Sequence, residues 1–130
     1  MARIYDCENK ETYIEFEFIY HIPGELEGSR FYLRYFKDAV LSREVSVGWT
    51  NRVMNMFLNL LSNFPNQEFE GYFSHYEKHL ELKWIHEAAI NQYLLIWIDL
   101  GTFFTLKSNP SDLKQFAYEL KYCLNTAPTI

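Results

Sequence analysis

At Thr50 the hydrophobic period of this chain changes, from alternation at every second residue to repeats at every third or fourth. Upstream, residues 12 to 20 read Thr-Tyr-Ile-Glu-Phe-Glu-Phe-Ile-Tyr, with Ile14, Phe16, Phe18 and Tyr20 on one face and Glu15 and Glu17 on the other. That alternation describes a half-buried antiparallel strand. Downstream, Val53, Met56, Phe57, Leu60, Leu61 and Phe64 form the apolar stripe of a helix that Thr50 caps and that Asn63 and Pro65 end. A short strand over about Arg3 to Glu8 precedes these, and strands at Phe31 to Phe36 and Val40 to Trp49 follow the first alternation. The segment His21 to Ser29, with Pro23, Gly24 and Gly28, reads as a loop.

The plan then recurs. Residues 68 to 76, 79 to 87, 91 to 100 and 102 to 107 read as strands, with turns at Glu77 and Lys78, at Ala88 to Ile90 and at Gly101. Asn109-Pro110-Ser111 opens a closing helix capped by Ser111, with Asp112 at its positive end and Leu113, Phe116, Ala117, Leu120 and Leu124 as the buried stripe. The expected fold is α+β: two antiparallel β-meanders, each followed by an amphipathic helix (β4-α-β4-α), in a single compact domain over residues 1 to 130. The halves match in plan and share no residue-level repeat.

Two charges interrupt this patterning. Arg43 has the parity of Leu41, Val45, Val47 and Trp49, which suggests a sheet edge. Asp99 has the parity of Tyr93, Leu95 and Trp97. A buried unpaired carboxylate is costly, so Asp99 is either paired or on a mixed, outward face.

A chain of 130 residues is long enough to bury roughly two-thirds of its unfolded surface. Its 48% hydrophobic and 18% aromatic content excludes a disordered chain. The mean hydropathy of −0.24 is too low for a membrane protein. The longest apolar run, Tyr93 to Leu100, is broken by Asp99 and falls short of the ~20 residues that span a bilayer. No secretory signal pattern opens the chain, and Cys7 and Cys123 fit no metal or redox spacing, so a cytoplasmic protein with free thiols is expected. The net charge of −5 is carried by residues 1 to 27, where seven acids face only Arg3 and Lys10. Such a patch repels nucleic acid and steers a basic partner inward.

Candidate chemistry is sparse. His75, His79 and His86 lie around one hairpin, where a metal or an acid–base pair is conceivable, yet no HExxH or second ligand cluster accompanies them. Glu15, Glu17, Glu81 and Glu87 have no spacing that fixes a catalytic carboxylate pair. Tyr32, Tyr35, Trp49, Tyr72, Tyr76 and Trp84 suggest a base-stacking platform, but a basic groove does not go with them, and alternating aromatics more often pack in a core. A nucleic-acid-binding module would instead use Arg30, Arg34, Lys37 and Arg43 on one exposed strand pair. A small-ligand domain or an enzyme would need a deep cavity with convergent polar groups. Neither an enzyme activity nor a catalytic, cofactor-binding or metal-ligating residue is expected.

The second half resembles small bacterial immunity proteins, which neutralise toxins of contact-dependent growth inhibition and related polymorphic toxin systems. The residues that carry it are Phe57-Leu58-Asn59-Leu60-Leu61, Phe69-Glu70-Gly71-Tyr72, Leu80-Glu81-Leu82-Lys83-Trp84, the run Tyr93 to Leu100, and the helix opening Ser111-Asp112-Leu113. The resemblance implies a non-catalytic inhibitor, with sheets and helices arranged as in the whirly fold of some immunity proteins, and transfers no binding residues. The charge pattern adds a partner: the basic nuclease domain at the C-terminus of a cognate toxin, met by Glu11, Glu15, Glu17, Glu25 and Glu27 with Tyr13 and Tyr32 as anchors. Charged residues at the presumed edges, Arg3, Glu8 and Lys107, suggest a monomer before the toxin binds.

Overall fold

The computed structural model describes residues 1–65, 69–75 and 79–129. Its elements run β1 (Ala2–Tyr5), β2 (Tyr13–His21), β3 (Gly28–Lys37), β4 (Val40–Thr50), α1 (Asn51–Ser62), β5 (Tyr72–Phe73), β6 (Glu81–Glu87), β7 (Gln92–Asp99), β8 (Thr102–Ser108) and α2 (Pro110–Asn125). The strands form two antiparallel four-stranded sheets, ordered β1-β2-β3-β4 and β5-β6-β7-β8, so each sheet is a meander followed by its helix. This is the α+β plan that the change of period requires.

Both helix starts have a clear local cause. Thr50 is extended, and its hydroxyl accepts the Val53 N–H at 3.3 Å. The second cap is Asn109, not Ser111: Asn109 Oδ1 accepts the Asp112 N–H at 2.8 Å, and Pro110 takes the first helical position, where its missing N–H forfeits no bond. The stripe of α2 is as its spacing predicts, with Leu113, Phe116, Ala117, Leu120 and Leu124 buried. The stripe of α1 is rotated slightly, burying Met54 with Phe57, Leu60 and Leu61 and leaving Val53 and Met56 only partly covered.

The strand limits differ from expectation in the loops. β3 starts at Gly28 rather than Phe31, because Gly28 lies against the Trp49 carbonyl, where any Cβ would collide. The strand expected over 68 to 76 reduces to Tyr72–Phe73 within the described residues, and the turn expected at Glu77 and Lys78 lies outside them. Two-residue hairpin loops at Asp38-Ala39 and Leu100-Gly101 have positive φ throughout, matching the right-handed twist of the strands they join.

The sheets and helices share one core. Phe16 of β2 lies 5.5 Å from Phe116 of α2 and 6.0 Å from Trp97 of β7 by ring centroids, while Trp97 lies 6.0 Å from Phe57 of α1. Trp49 of β4 meets Phe73 of β5 at 5.8 Å. Each such buried side chain contributes about 1.5–3 kcal/mol, so the two meanders stabilise one another rather than standing alone. Polar links reinforce the seam: the Cys7 N–H donates to the Lys107 carbonyl at 3.0 Å, the Lys107 N–H to Asp6 Oδ2 at 2.9 Å, and the Tyr35 hydroxyl to the Thr105 carbonyl at 2.8 Å.

Asp99 faces this interior with Tyr93, Leu95 and Trp97, so their face is not an outer one. Asp99 is paired instead. Arg43, on edge strand β4, reaches it from the other sheet at 2.6 Å. No helix of the described residues is long and apolar enough to cross a membrane.

Candidate functional site

Period-two alternation that sends Ile14, Phe16, Phe31 and Leu33 inward sends the other half of each strand outward on the first sheet. The antiparallel register then places Arg3, Glu15, Arg34 and Glu44 opposite one another in a single row across all four strands. The row is a continuous ion lattice. Arg3 Nε donates to Glu15 Oε1 at 2.9 Å, Arg34 Nη1 to Glu15 Oε2 at 3.3 Å, and Arg34 Nε to Glu44 Oε2 at 2.7 Å. Arg34 Nη2 reaches diagonally to Glu17 Oε1 at 2.9 Å. Hydrogen bonds, first to Tyr5 and then to Glu15, push the Arg3 pKa up, and the bond to Glu44 leads those that push up Arg34.

Aromatic rings fill the same face. Arg34 sits 5.0 Å above the Tyr32 ring and Arg3 sits 5.2 Å above Tyr13. One register step from the ion lattice, Tyr5, Tyr13 and Phe36 form a second cross-strand row, with centroids 5.2 Å and 4.6 Å apart. The result is a patch of Arg, Tyr and Phe in which each long side chain is already held by a neighbour. Such ordering reduces the rotamer entropy lost when a partner docks.

Of the residues expected to meet a partner, Tyr13, Glu15, Glu17 and Tyr32 come together on this face. Glu11 lies beyond one end of β2, where its carbonyl accepts the Ala39 N–H at 2.8 Å. Glu25 and Glu27 are exposed in the β2–β3 loop at the other end, about 30 Å away along an extended strand. The five glutamates therefore do not make one acidic patch. Glu15, only 4% exposed, is covered by Arg3 and Arg34, and Glu17 is paired, so the middle of the face is close to neutral. The negative excess of residues 1 to 27 is met there by Arg34, a base from a later strand. Among the described residues Glu11, Glu25 and Glu27 make no ion pair.

Comparison with protein-family models, curated proteins and solved structures finds no match.

The other candidates disperse. His75 Nε2 lies 2.6 Å from the His79 carbonyl, His79 Nε2 lies 3.3 Å from Asp99 Oδ1, and His86 stacks on Tyr93 at 4.7 Å near the far end of β6. Among the described residues no three His, Cys, Asp or Glu side chains are grouped to hold a metal. Glu81 accepts from the Tyr72 hydroxyl at 2.7 Å, which leads the effects raising the Tyr72 pKa, and Glu87 pairs with Lys107. Both lie on the second sheet, apart from Glu15 and Glu17. Tyr35, Trp49 and Trp84 are core residues and Tyr76 lies outside the described residues; Tyr32 and Tyr72, the others of that set, lie on different sheets, so among the described residues no stacking platform forms from it. Arg34 and Arg43 are committed to carboxylates and Arg30 Nη1 donates to Ser46 Oγ at 3.1 Å, which leaves Lys37 alone of the four bases expected to share a strand pair. Composition by segment did not point to Tyr5, Phe36 and Glu44. Strand parity combined with register would have done so.

Proposed function

We propose that this chain is a cytoplasmic immunity protein that binds and inhibits a cognate toxin domain by protein–protein contact, using the outer face of the first sheet. The observation that supports it is the preordered Arg3–Glu15–Arg34–Glu44 lattice with Tyr5, Tyr13, Tyr32 and Phe36 upon it. Arginine and tyrosine are the side chains that anchor protein interfaces, and here they need little further ordering. The exposed glutamates at both ends of the face, Glu11 on one side and Glu25 and Glu27 on the other, supply a negative field toward a basic nuclease surface. The glutamates steer and the aromatic row holds. Inhibition then follows from occlusion of the toxin's nucleic-acid groove and uses no catalytic step.

The test is co-expression with the C-terminal domain of any large toxin found encoded in the neighbouring reading frame, followed by association kinetics on the purified pair. Glu11→Lys, Glu25→Lys and Glu27→Lys together should slow association about 10-fold or more at low salt and leave dissociation unchanged. Tyr13→Ala and Tyr32→Ala should instead speed dissociation. Full protection of cells by all five substitutions combined would place the interface elsewhere.

A further inference from the structure

Helix α1 carries asparagine at positions 51, 55, 59 and 63, four residues apart, although asparagine is a poor residue for a helix interior. The outer two have structural work. Asn51 Nδ2 donates to the carbonyls of Ile22 and Gly24 at 2.9 Å and 2.8 Å, and Asn63 Nδ2 donates to Asn59 O and Oδ1 at 3.0 Å and 2.9 Å. Between them, the Asn55 amide and the Asn59 Nδ2 bond to no described residue and face solvent. They line a groove of about 530 Å³ between the helices, with Leu58 and Ala117 as its floor and Lys114, Tyr118 and Lys121 of α2 as its far wall. It runs into a larger cleft of about 1000 Å³ that reaches Arg52 and the β2–β3 loop.

Charge on this side is the reverse of the chain's net charge. Arg52, Lys114 and Lys121 make no ion pair with a described residue, and the acids of α2, Asp112 and Glu119, lie on its other flank against β1. Glu25 is the acid that lines the cleft, at the loop end. Tyr118 stands 74% exposed between the two lysines. Adjacent asparagines on α1 are separated by about 6 Å along the axis. An extended peptide repeats every two residues at about 6.7 Å. A row of primary amides offers both donors and acceptors at the step of a peptide backbone.

We propose that the α1–α2 groove binds an extended acidic peptide segment of a partner protein. Asn55 and Asn59 pair with its backbone N–H and C=O groups, Lys114 and Lys121 with its carboxylates, and Tyr118 packs along it. A nucleic-acid backbone fits less well, since a phosphodiester only accepts hydrogen bonds and would leave the amide oxygen of Asn55 unmatched. This surface is separate from the outer sheet face, and the proposal does not rest on toxin binding.

The probe is an acetylated, amidated peptide of alternating Glu and Ser, titrated into the full-length protein and followed by the side-chain amide resonances of the asparagines. Saturable shifts should centre on Asn55 and Asn59 at sub-millimolar peptide. Lys114→Gln with Lys121→Gln should weaken binding about 5-fold or more, as expected for lost charge-assisted bonds. Asn55→Ala should weaken binding while raising the melting temperature, because its amide bonds no described residue and alanine is the better helix former. Three results would overturn the proposal: no shift at millimolar peptide, unchanged peptide affinity in Asn55→Ala, or oligothymidylate of equal length binding more tightly than the peptide.

Discussion

Arg43 and Asp99 lie 56 positions apart in the chain, and Arg43 Nη2 meets Asp99 Oδ2 at 2.6 Å. Each is the charge that breaks the apolar parity of its own strand, and each resolves the other. Asp99 is 4% exposed and Arg43 is partly open to water, so the two ends of the pair are not equivalent. Arg43→Met strands a buried carboxylate beside His79 and should destabilise the fold by about 2–3 kcal/mol, below the upper range for fully buried pairs because water reaches the site. Asp99→Asn should cost about 1 kcal/mol, since the freed guanidinium can turn to solvent. The double variant Arg43→Met with Asp99→Leu should be more stable than Arg43→Met alone. Urea denaturation of the four proteins, read as a cycle, checks the order.

The hairpin loop between β3 and β4 places Ala39 at φ 67° and Asp38 at φ 51°. A left-handed alanine is disfavoured by about 1–2 kcal/mol, part of which glycine would return as unfolded-chain entropy. Ala39→Gly should therefore stabilise by about 0.5–1 kcal/mol, visible as a rise of a few degrees in melting temperature. The backbone bond from the Ala39 N–H to the Glu11 carbonyl is kept in the variant.

Asn109 and Ser111 can be told apart by truncation. Asn109→Ala removes the side-chain oxygen that accepts the Asp112 N–H and should cost about 1 kcal/mol. Ser111→Ala touches an exposed residue inside the first turn and should change stability by less than about 0.5 kcal/mol. Equal losses from the two would mean that Asn109 is not the cap.

Burial, helped by the charges of Asp6 and Asp38, raises the Tyr35 pKa above the ordinary phenol value of about 10. The folded state thus holds the Tyr35 proton more tightly than the unfolded state. Its contribution is complete below the ordinary phenol pKa and is lost as pH climbs through the folded value. Tyr35→Phe should lower stability at neutral pH by about 1 kcal/mol, through loss of the bond to the Thr105 carbonyl, and flatten the alkaline decline. Denaturation midpoints across the alkaline range, compared with phenolate absorbance, measure both effects.

Much of the architecture was legible in the sequence, because period reports which side of an element is buried. The change at Thr50, the stripe of α2 and the alternation from Ile14 to Phe16 translate directly into buried faces. What did not translate is anything that depends on which strands become neighbours. Glu15 and Glu17 counted as free negative charge until register brought Arg34 across from β3, and Asp99 stayed open between a paired and an outward residue until Arg43 reached it from the other sheet. The cap on α2 moved from Ser111 to Asn109 for a different reason: both side chains can cap, and the proline between them decides which residue stays extended.

Phe16 and Trp49 belong to the first meander, and the partners that cover them include Phe73, Trp97 and Phe116 from the second half. During synthesis the nascent chain presents the first sheet and α1 with that aromatic surface uncovered until the last helix leaves the ribosome. The Cys7–Lys107 bond likewise needs β8 of the second half before it can form. The two halves, alike in plan, are thus one cooperative folding unit. A fragment ending after α1 would expose those rings and aggregate, whereas both fragments made together can find each other and assemble.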